Sequence, residues 1–399
     1  MKSLEGIIIL DLTHLLAGPY GTLLLADLGA RTIKIEPPGK GEITRRLLAD
    51  DPEYSRDGLG AYFLSVNRGK ESVCLDLKSR RGRDVFLDLA RHVDVVFDNF
   101  SAGVMKRLGI DHDALTAVNP RIVTCSVTGF GETGPDKLRP AFDQVVQGLG
   151  GGMSITGHPE TPPVRSGVPI GDLGGGIFGA MGVLSALLAR ERTGTGQHVD
   201  ISMLDAQVSM LNFMATMYLM SGKVPERVGN GHFVHVPYNT FSTLDGYIII
   251  ACIGDDFFER FINVVERPEL RQPKYRKQAA RYADRMLIES IINEELSANT
   301  SAYWLAKLGQ ARVPCGPVNN FHEALSDPQI LARNMVIDVP LANGESVRMP
   351  GNPMKFSCDA DSIPTPPPQL GQHTHAVLRE LLGYGDNVLQ ELTACGAIG

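Results

Sequence analysis

Apolar and polar positions follow two rhythms through the first half of the chain. Residues 6–12, 32–36, 73–77, 93–97 and 122–127 are short runs rich in Ile and Val. They are near-continuous rather than alternating, the mark of strands buried on both faces. Between them, residues 19–28, 78–92, 102–108 and 113–118 carry helical spacing. Pro19 suits the first turn of the first helix and Gly29 stops it. This β–α alternation predicts an α/β fold with a parallel sheet covered by helices. Ligands are then expected at the carboxyl ends of its strands.

The pattern changes after residue 128. GLGGG at 148–152 is a flexible junction, and 159–169 is irregular with four prolines. A long helix is expected over 174–190, a strand over 198–203, and a helix ending near Gly222. Residues 247–253 form a strand led by the Asp245-Gly246 turn, and charged helices follow at 256–265, 283–297 and 301–309. Short strands joined by Asn343-Gly344 occupy 335–356, and a last helix spans 373–382. The expected organisation is a large domain over 1–224, a smaller α/β domain over 225–320, and a return to the large domain over 321–399.

Composition narrows the function. With 38 basic and 45 acidic side chains the net charge is −7, which disfavours a nucleic-acid binder. The six cysteines (Cys74, Cys125, Cys252, Cys315, Cys358, Cys395) form no CxxC pair, so reduced thiols are expected rather than disulfides or zinc. Residues 203–220 are apolar but contain Asp205, Gln207 and Asn212, too polar for an unassisted membrane span. A signal peptide is not read at the N-terminus, where Asp11 and His14 interrupt the apolar run. A cytoplasmic protein with no membrane partner is expected.

Several groups carry candidate chemistry. Residues 174–179, GGGIFG, fit G-x-G-x-x-G with Asp200 about 20 residues on, which raises an NAD-dependent oxidoreductase as an alternative. The prolines before the motif suit a central strand poorly, and the glycines equally serve close helix packing. Asp172, just before them, is either a helix cap or a reactive carboxylate on a Gly-lined floor. Asn67, Arg68, Lys70, Asn99, Phe100, Lys106, Arg107, Arg45 and Arg46 gather at strand ends and the loops after them, and suggest a phosphate-bearing ligand. No HExxH is present, and no metal is expected. His232 and His235 lie on a Gly-rich loop suited to folding over a site.

The same segments resemble the class III CoA-transferases, the formyl-CoA transferase and carnitine CoA-transferase family. The resemblance rests on GIIILDLTHLLAGPYGTLLLADLGARTIKIEPPGKGE, NRGKESVCLDLK, DNFSAGVMKRLGI, RPAFDQVVQGLGG, GVPIGDLGGG, TGTGQHVDISMLDA and GNGHFVHVPYNTFSTLDGYIIIA. It implies a Rossmann-like large domain built from both chain ends, and an interlaced homodimer. The implied activity is transfer of CoA from an acyl-CoA to a free carboxylic acid, with the CoA thioester as substrate and no permanently bound cofactor. Asp172 aligns with the nucleophile. His14, Leu16, Asn67, Lys70, Asn99, Phe100 and Arg107 align with CoA-binding positions. A carboxylate nucleophile suits this reaction because Asp is ionised at neutral pH and needs no general base. The Gly174 and Gly175 N–H groups are expected to stabilise the oxyanion.

Three departures from the family pattern refine the expectation. Ser101-Ala102 replaces the usual Arg-Pro after Asn-Phe. The loop 231–235, GHFVH, replaces the glycine run of oxalate-using members and suggests a bulkier acceptor. Racemases of the family need a His-Asp pair, whereas Phe142 precedes Asp143; racemization stays the alternative within the family. His232 and His235 are suited to a second carboxylate, so a C4–C5 dicarboxylate acceptor and a succinyl-CoA donor are expected.

Overall fold

The computed structural model describes residues 2–357 and 365–399; Cys358 lies outside the described residues. The chain forms two units. The first comprises Met1–Gly152, Arg165–Gly222 and Gln329–Gly399, and the second Met153–Val164 and Lys223–Pro328.

In the first unit, the Ile- and Val-rich runs become strands β1 (Ile8–Asp11) and β2 (Arg31–Glu36). A small hairpin of β3 (Ser55–Arg56) and β4 (Leu59–Gly60) follows. Then come β5 (Lys70–Cys74), β6 (Val95–Asp98), β7 (Val123–Thr128) and β8 (His198–Ser202). Six of these pair in parallel in the order β5-β2-β1-β6-β7-β8. The order reverses between β1 and β6, so a crevice opens at the carboxyl ends of those two strands.

Alternation of side chains divides the sheet into two buried faces. Leu10, Ile33, Val73 and Val96 pack against Val85, Phe86 and Leu89 of the helix Arg80–Ala90. The helices Thr374–Leu382 and Asp386–Ala394 complete that core with Val377, Leu378, Leu389 and Leu392. The second of these helices was not expected from the sequence; it follows the break at Gly383 and brings Ile398 into a bridge with Leu75. Ile9, Val95, Phe97, Cys125 and Val127 line the other face, under the helices Ala17–Asp27 and Ile170–Thr193. Among the described residues, Ile170–Thr193 alone has the length and apolarity of a membrane span, and here its small residues lie against the sheet. A methyl on Gly176 would stand 2.5 Å from the Ala17 carbonyl oxygen, and one on Gly21 would stand 2.8 Å from that of Gly176. Only glycine permits this backbone-to-backbone contact.

The second unit is a separate core. Strands β9 (Tyr238–Ser242), β10 (Tyr247–Ala251) and β11 (Cys315–Pro317) form an antiparallel sheet in the order β11-β10-β9. Phe241, Ile248 and Ile250 meet Phe258, Phe261, Ile288 and Trp304 of three helices. Back in the first unit, β12 (Val336–Pro340) and β13 (Ser346–Pro350) form a hairpin. Its turn holds Gly344 at φ +87°, as Asn-Gly predicts.

A buried ion pair sits beneath the crevice. Lys70 Nζ donates to Asp11 Oδ2 at 2.9 Å, Thr22 Oγ1 at 2.8 Å and the Pro19 carbonyl at 3.1 Å. Burial pushes the Asp11 carboxyl up, but the Lys70 and Lys34 ammoniums overcome this and hold it at about 2. The pair ties β1, β5 and the first turns of the helix Ala17–Asp27 together. Removing one partner strands the other charge in the core. Lys70→Met is therefore expected to lose about 3–5 kcal/mol of stability, measured by urea unfolding. A loss under 1 kcal/mol would show that Asp11 does not depend on it.

Candidate functional site

At the crevice, the loops after β1 and β6 hold one another. His14 N–H donates to Asn99 Oδ1 at 2.9 Å, and Asn99 Nδ2 donates to the His14 carbonyl at 2.8 Å. The His14 and Phe100 rings lie 5.5 Å apart, tilted by 39°. Lys34 Nζ bonds the Thr13 carbonyl at 2.6 Å, and Leu15 adopts φ +63°, a strained value for a non-glycine residue. Leu16 then leads directly into the helix at Ala17. Burial, and next Lys34, lower the His14 pKa, which favours a neutral imidazole. His14, Leu16, Asn99 and Phe100 are thus gathered in one place. Arg107 lies exposed on the short helix Val104–Leu108, and among the described residues its guanidinium has no ion pair or hydrogen bond.

Other basic residues singled out in the sequence are internal. Lys70 is fully buried, with all three N–H donors taken as described above, so it has none left for a phosphate and is corrected here to a support beneath the loop. Asn67 is likewise fully buried, with Nδ2 on the Phe63 carbonyl at 3.0 Å and Oδ1 unpartnered. Arg45 is paired with Glu36 at 2.7 Å and lies over the Phe63 ring. Arg68 is paired with Asp27 at 2.6 Å. Each partner lies elsewhere in the chain, where local sequence does not reveal it.

Asp172 stands in the first turn of the helix Ile170–Thr193, which begins a turn earlier than the expected 174. The reason is a cap from another element. Asp143, at the start of the helix Asp143–Leu149, accepts the Gly171 N–H at 2.8 Å and the Asp172 N–H at 3.4 Å on Oδ1. Asp143 therefore caps this helix, and Asp172 does not. Among the described residues no donor bonds the Asp172 carboxylate. Burial and then the Asp143 charge push it up to about 6. The Asp172 charge is also felt at Tyr62, whose pKa is raised by burial, then by the Asp172, Glu42 and Asp143 carboxylates. Neither Tyr62 nor the capping role of Asp143 was foreseen, and no spacing in the sequence signals them.

Gly174 and Gly175 do not serve as expected. They occupy the second helical turn, where N–H groups bond back along the helix, as Leu173 already does to Pro169 at 3.0 Å. Their lack of side chains makes room instead for Met210 and Met203. The dinucleotide reading fails for the same reason, because its glycines lie inside the helix rather than in a loop before it.

His232 and His235 belong to the second unit, with ring centroids 4.7 Å apart. His232 Nδ1 accepts the Val234 and His235 N–H groups at 3.0 and 3.2 Å, so its proton sits on Nε2. Burial and then His235 lower its pKa, which keeps it a neutral donor. Among the described residues no group of three metal-ligating side chains is found.

The family model for CoA-transferase family III matches residues 4–374. The chain is 41% identical to the acetyl-CoA:oxalate CoA-transferase of Acetobacter aceti, over 94% of this chain and 95% of that protein. It is 36% identical to the succinyl-CoA:glutarate CoA-transferase of Mus musculus, over 100% of this chain and 91% of that one. A CAIB/BAIF family protein from Brucella suis has the same fold, with TM-score 0.84, 36% identity, and 95% and 99% of the two chains covered.

Asp143→Asn separates the cap from the charge, because the amide oxygen still accepts N–H groups. The variant is expected to melt within about 1 kcal/mol of wild type, while the Asp172 carboxyl, followed by NMR titration, moves down from about 6. An unmoved Asp172 titration would refute the influence of Asp143.

Proposed function

The chain belongs to CoA-transferase family III, and on that premise we propose that it moves CoA from succinyl-CoA to a C4–C5 dicarboxylic acid through a thioester on Asp172. The observation that supports this most directly is the Asp172 carboxylate, partly desolvated and relieved of capping by Asp143. An Asp172 oxygen attacks the thioester carbonyl, the C–S bond breaks, and CoA leaves as thiolate. The thiolate attacks the Asp172 carbonyl of the mixed anhydride and releases the donor acid. The acceptor carboxylate then attacks the aspartyl thioester and expels the thiolate. The thiolate takes the acceptor acyl group and restores the Asp172 carboxylate. Every step is substitution at an acyl carbon, so no oxidant or metal is called on.

The remaining residues divide the work. His14, Leu16, Asn99 and Phe100 receive the CoA moiety at the crevice. Arg107 and Lys106, the exposed cations nearby, meet its phosphates in place of the Arg absent at Ser101. His232, a neutral Nε2–H donor, and His235 have the chemistry to bind a carboxylate. The two relatives named above take oxalate and glutarate, both dicarboxylates, and the bulky 231–235 loop favours the longer acid here.

A homodimer accounts for an exposed apolar helix. The helix Phe213–Ser221 buries none of its residues, with Leu219 79% and Met220 84% exposed. A run this apolar on the surface marks an interface. Light scattering is expected to give about twice the chain mass with no dilution to an active monomer; an active monomer would remove the proposal.

Asp172→Asn is expected to fold normally and to lower kcat by roughly 10⁴-fold. In wild type, kcat should fall as pH drops through about 6, where Asp172 gains a proton. Hydroxylamine should trap a hydroxamate on the peptide carrying Asp172, and a panel of donors and acids read by mass spectrometry should favour succinyl-CoA with a C4–C5 diacid. Label on another Asp, or an active Asn variant, would sink the assignment.

A further inference from the structure

The turn that joins β6 to the CoA-side loop contains a buried acid that the transfer steps do not use. Asp98 ends β6 and is 3% exposed. Its Oδ1 accepts the Phe100 N–H at 3.1 Å, and its Oδ2 accepts the Ser126 hydroxyl at 2.6 Å. Between Asp98 and Phe100 lies Asn99, which bonds His14 in both directions. One carboxyl therefore anchors the turn to β7 and shapes the side of it that faces His14. Beside it is a cavity of about 360 Å³, walled by Met105, Thr124, Ser126 and His198.

We propose that Asp98 is a positioning residue for CoA binding: its carboxyl, bonded to the Phe100 N–H and the Ser126 hydroxyl, fixes the turn that presents Asn99 and Phe100 to CoA. This rests on the placement of CoA at His14, Asn99 and Phe100 proposed above. Linkage gives that role a pH dependence. Burial pushes Asp98 up to about 7, against the hydrogen bonds from Ser126 and Phe100. In an opened turn water would solvate the carboxyl and return it to about 4. Opening and ionisation therefore favour each other, so binding that needs the closed turn retains the proton and weakens as pH rises above about 7. The CoA phosphates add repulsion of the same sign.

Other charged groups face this carboxyl from each neighbouring element. Glu132, in the loop after β7, pushes it up, and His198 on β8 pulls it down. His198 and His112, from the helix His112–Val118, share the Thr124 hydroxyl at 2.8 and 2.9 Å. Asp111, Asp113, Lys106 and Lys137 also line the cavity. A pH effect carried by the histidines survives removal of the Asp98 charge, and one carried by Asp98 does not.

Steady-state kinetics from pH 6 to 8.5, with calorimetric titration by CoA, tests this on wild type, Asp98→Asn and Asp98→Ala. For wild type, KM for acyl-CoA is expected to rise above pH 7, approaching tenfold per pH unit, with kcat and the acceptor KM level. Asp98→Asn keeps the Phe100 bond on Oδ1, and with its Nδ2 donating to the Ser126 oxygen in reverse of the native bond it should stay flat near the wild-type value at pH 6. Asp98→Ala should raise KM for acyl-CoA about tenfold at every pH, with kcat within about threefold. Should the Ala variant not fold, the Asn variant decides alone. An acyl-CoA KM unchanged in Asp98→Ala, no rescue in Asp98→Asn, or an equal loss in kcat overturns the inference; a flat wild type, or a dependence that persists in Asp98→Asn, removes its pH dependence. Wild type that does not bind CoA at all overturns the placement of CoA instead.

Discussion

The contact between Gly21 and Gly176 sets the geometry on which the site depends. Two helices that cover the same sheet face meet there backbone to backbone, with Gly176 against Ala17 as well. Asp172 is four residues before Gly176, about 6 Å along a helix. Leu16 and His14 lie just before Ala17. A side chain at either glycine forces the helices apart, because the obstacle is backbone rather than a flexible side-chain end. The carboxylate is thus fixed relative to the β1 loop by helix packing, before any polar contact is made.

Charge is arranged beneath that contact. Lys70, Arg45 and Arg68 are each paired with an acid on another element. These pairs link the strand ends and the first helix, and they leave the exposed cations to the rim at Lys106 and Arg107. Buried pairs of this kind lend little net stability but make the arrangement hard to alter one partner at a time. The loops at the crevice therefore stand on charges that are already neutralised.

The parallel strands were legible because burial on both faces writes itself as continuous Ile and Val. β5 was read as starting at 73 because Lys70 looks like surface, although it is buried by its bond to Asp11, 59 residues away. β9, YNTFS, carries no strand signal in the sequence because Asn239, Thr240 and Ser242 are polar. Asp172 stood out through its Gly-rich setting, and the β1 and β6 loops through their family motifs. The cap on its helix did not, since Asp143 reaches Gly171 from 28 residues away. Pairing of basic side chains is likewise long-range. What the pattern of residues carries is local period and turn chemistry; what it hides is which distant group completes a charge or a helix end.

Two buried carboxyls at the strand ends and a half-buried one on the long helix show how neighbours assign roles to one residue type. Asp11 sits between two ammoniums and is held at about 2. Asp172 has another carboxylate as its neighbour and rises to about 6. Asp98 has a hydroxyl and an amide N–H but no adjacent ammonium, and rises to about 7. Desolvation acts on all three, so the partners decide the outcome. A carboxylate at about 6 is still ionised at neutral pH, yet its charge is stabilised less than that of a solvated Asp. It is correspondingly more basic and more nucleophilic toward an acyl carbon. Placing Asp143 at the helix start has two consequences that cannot be separated in the native chain: it removes the N–H donors that would quiet Asp172, and it adds the negative charge that raises its pKa.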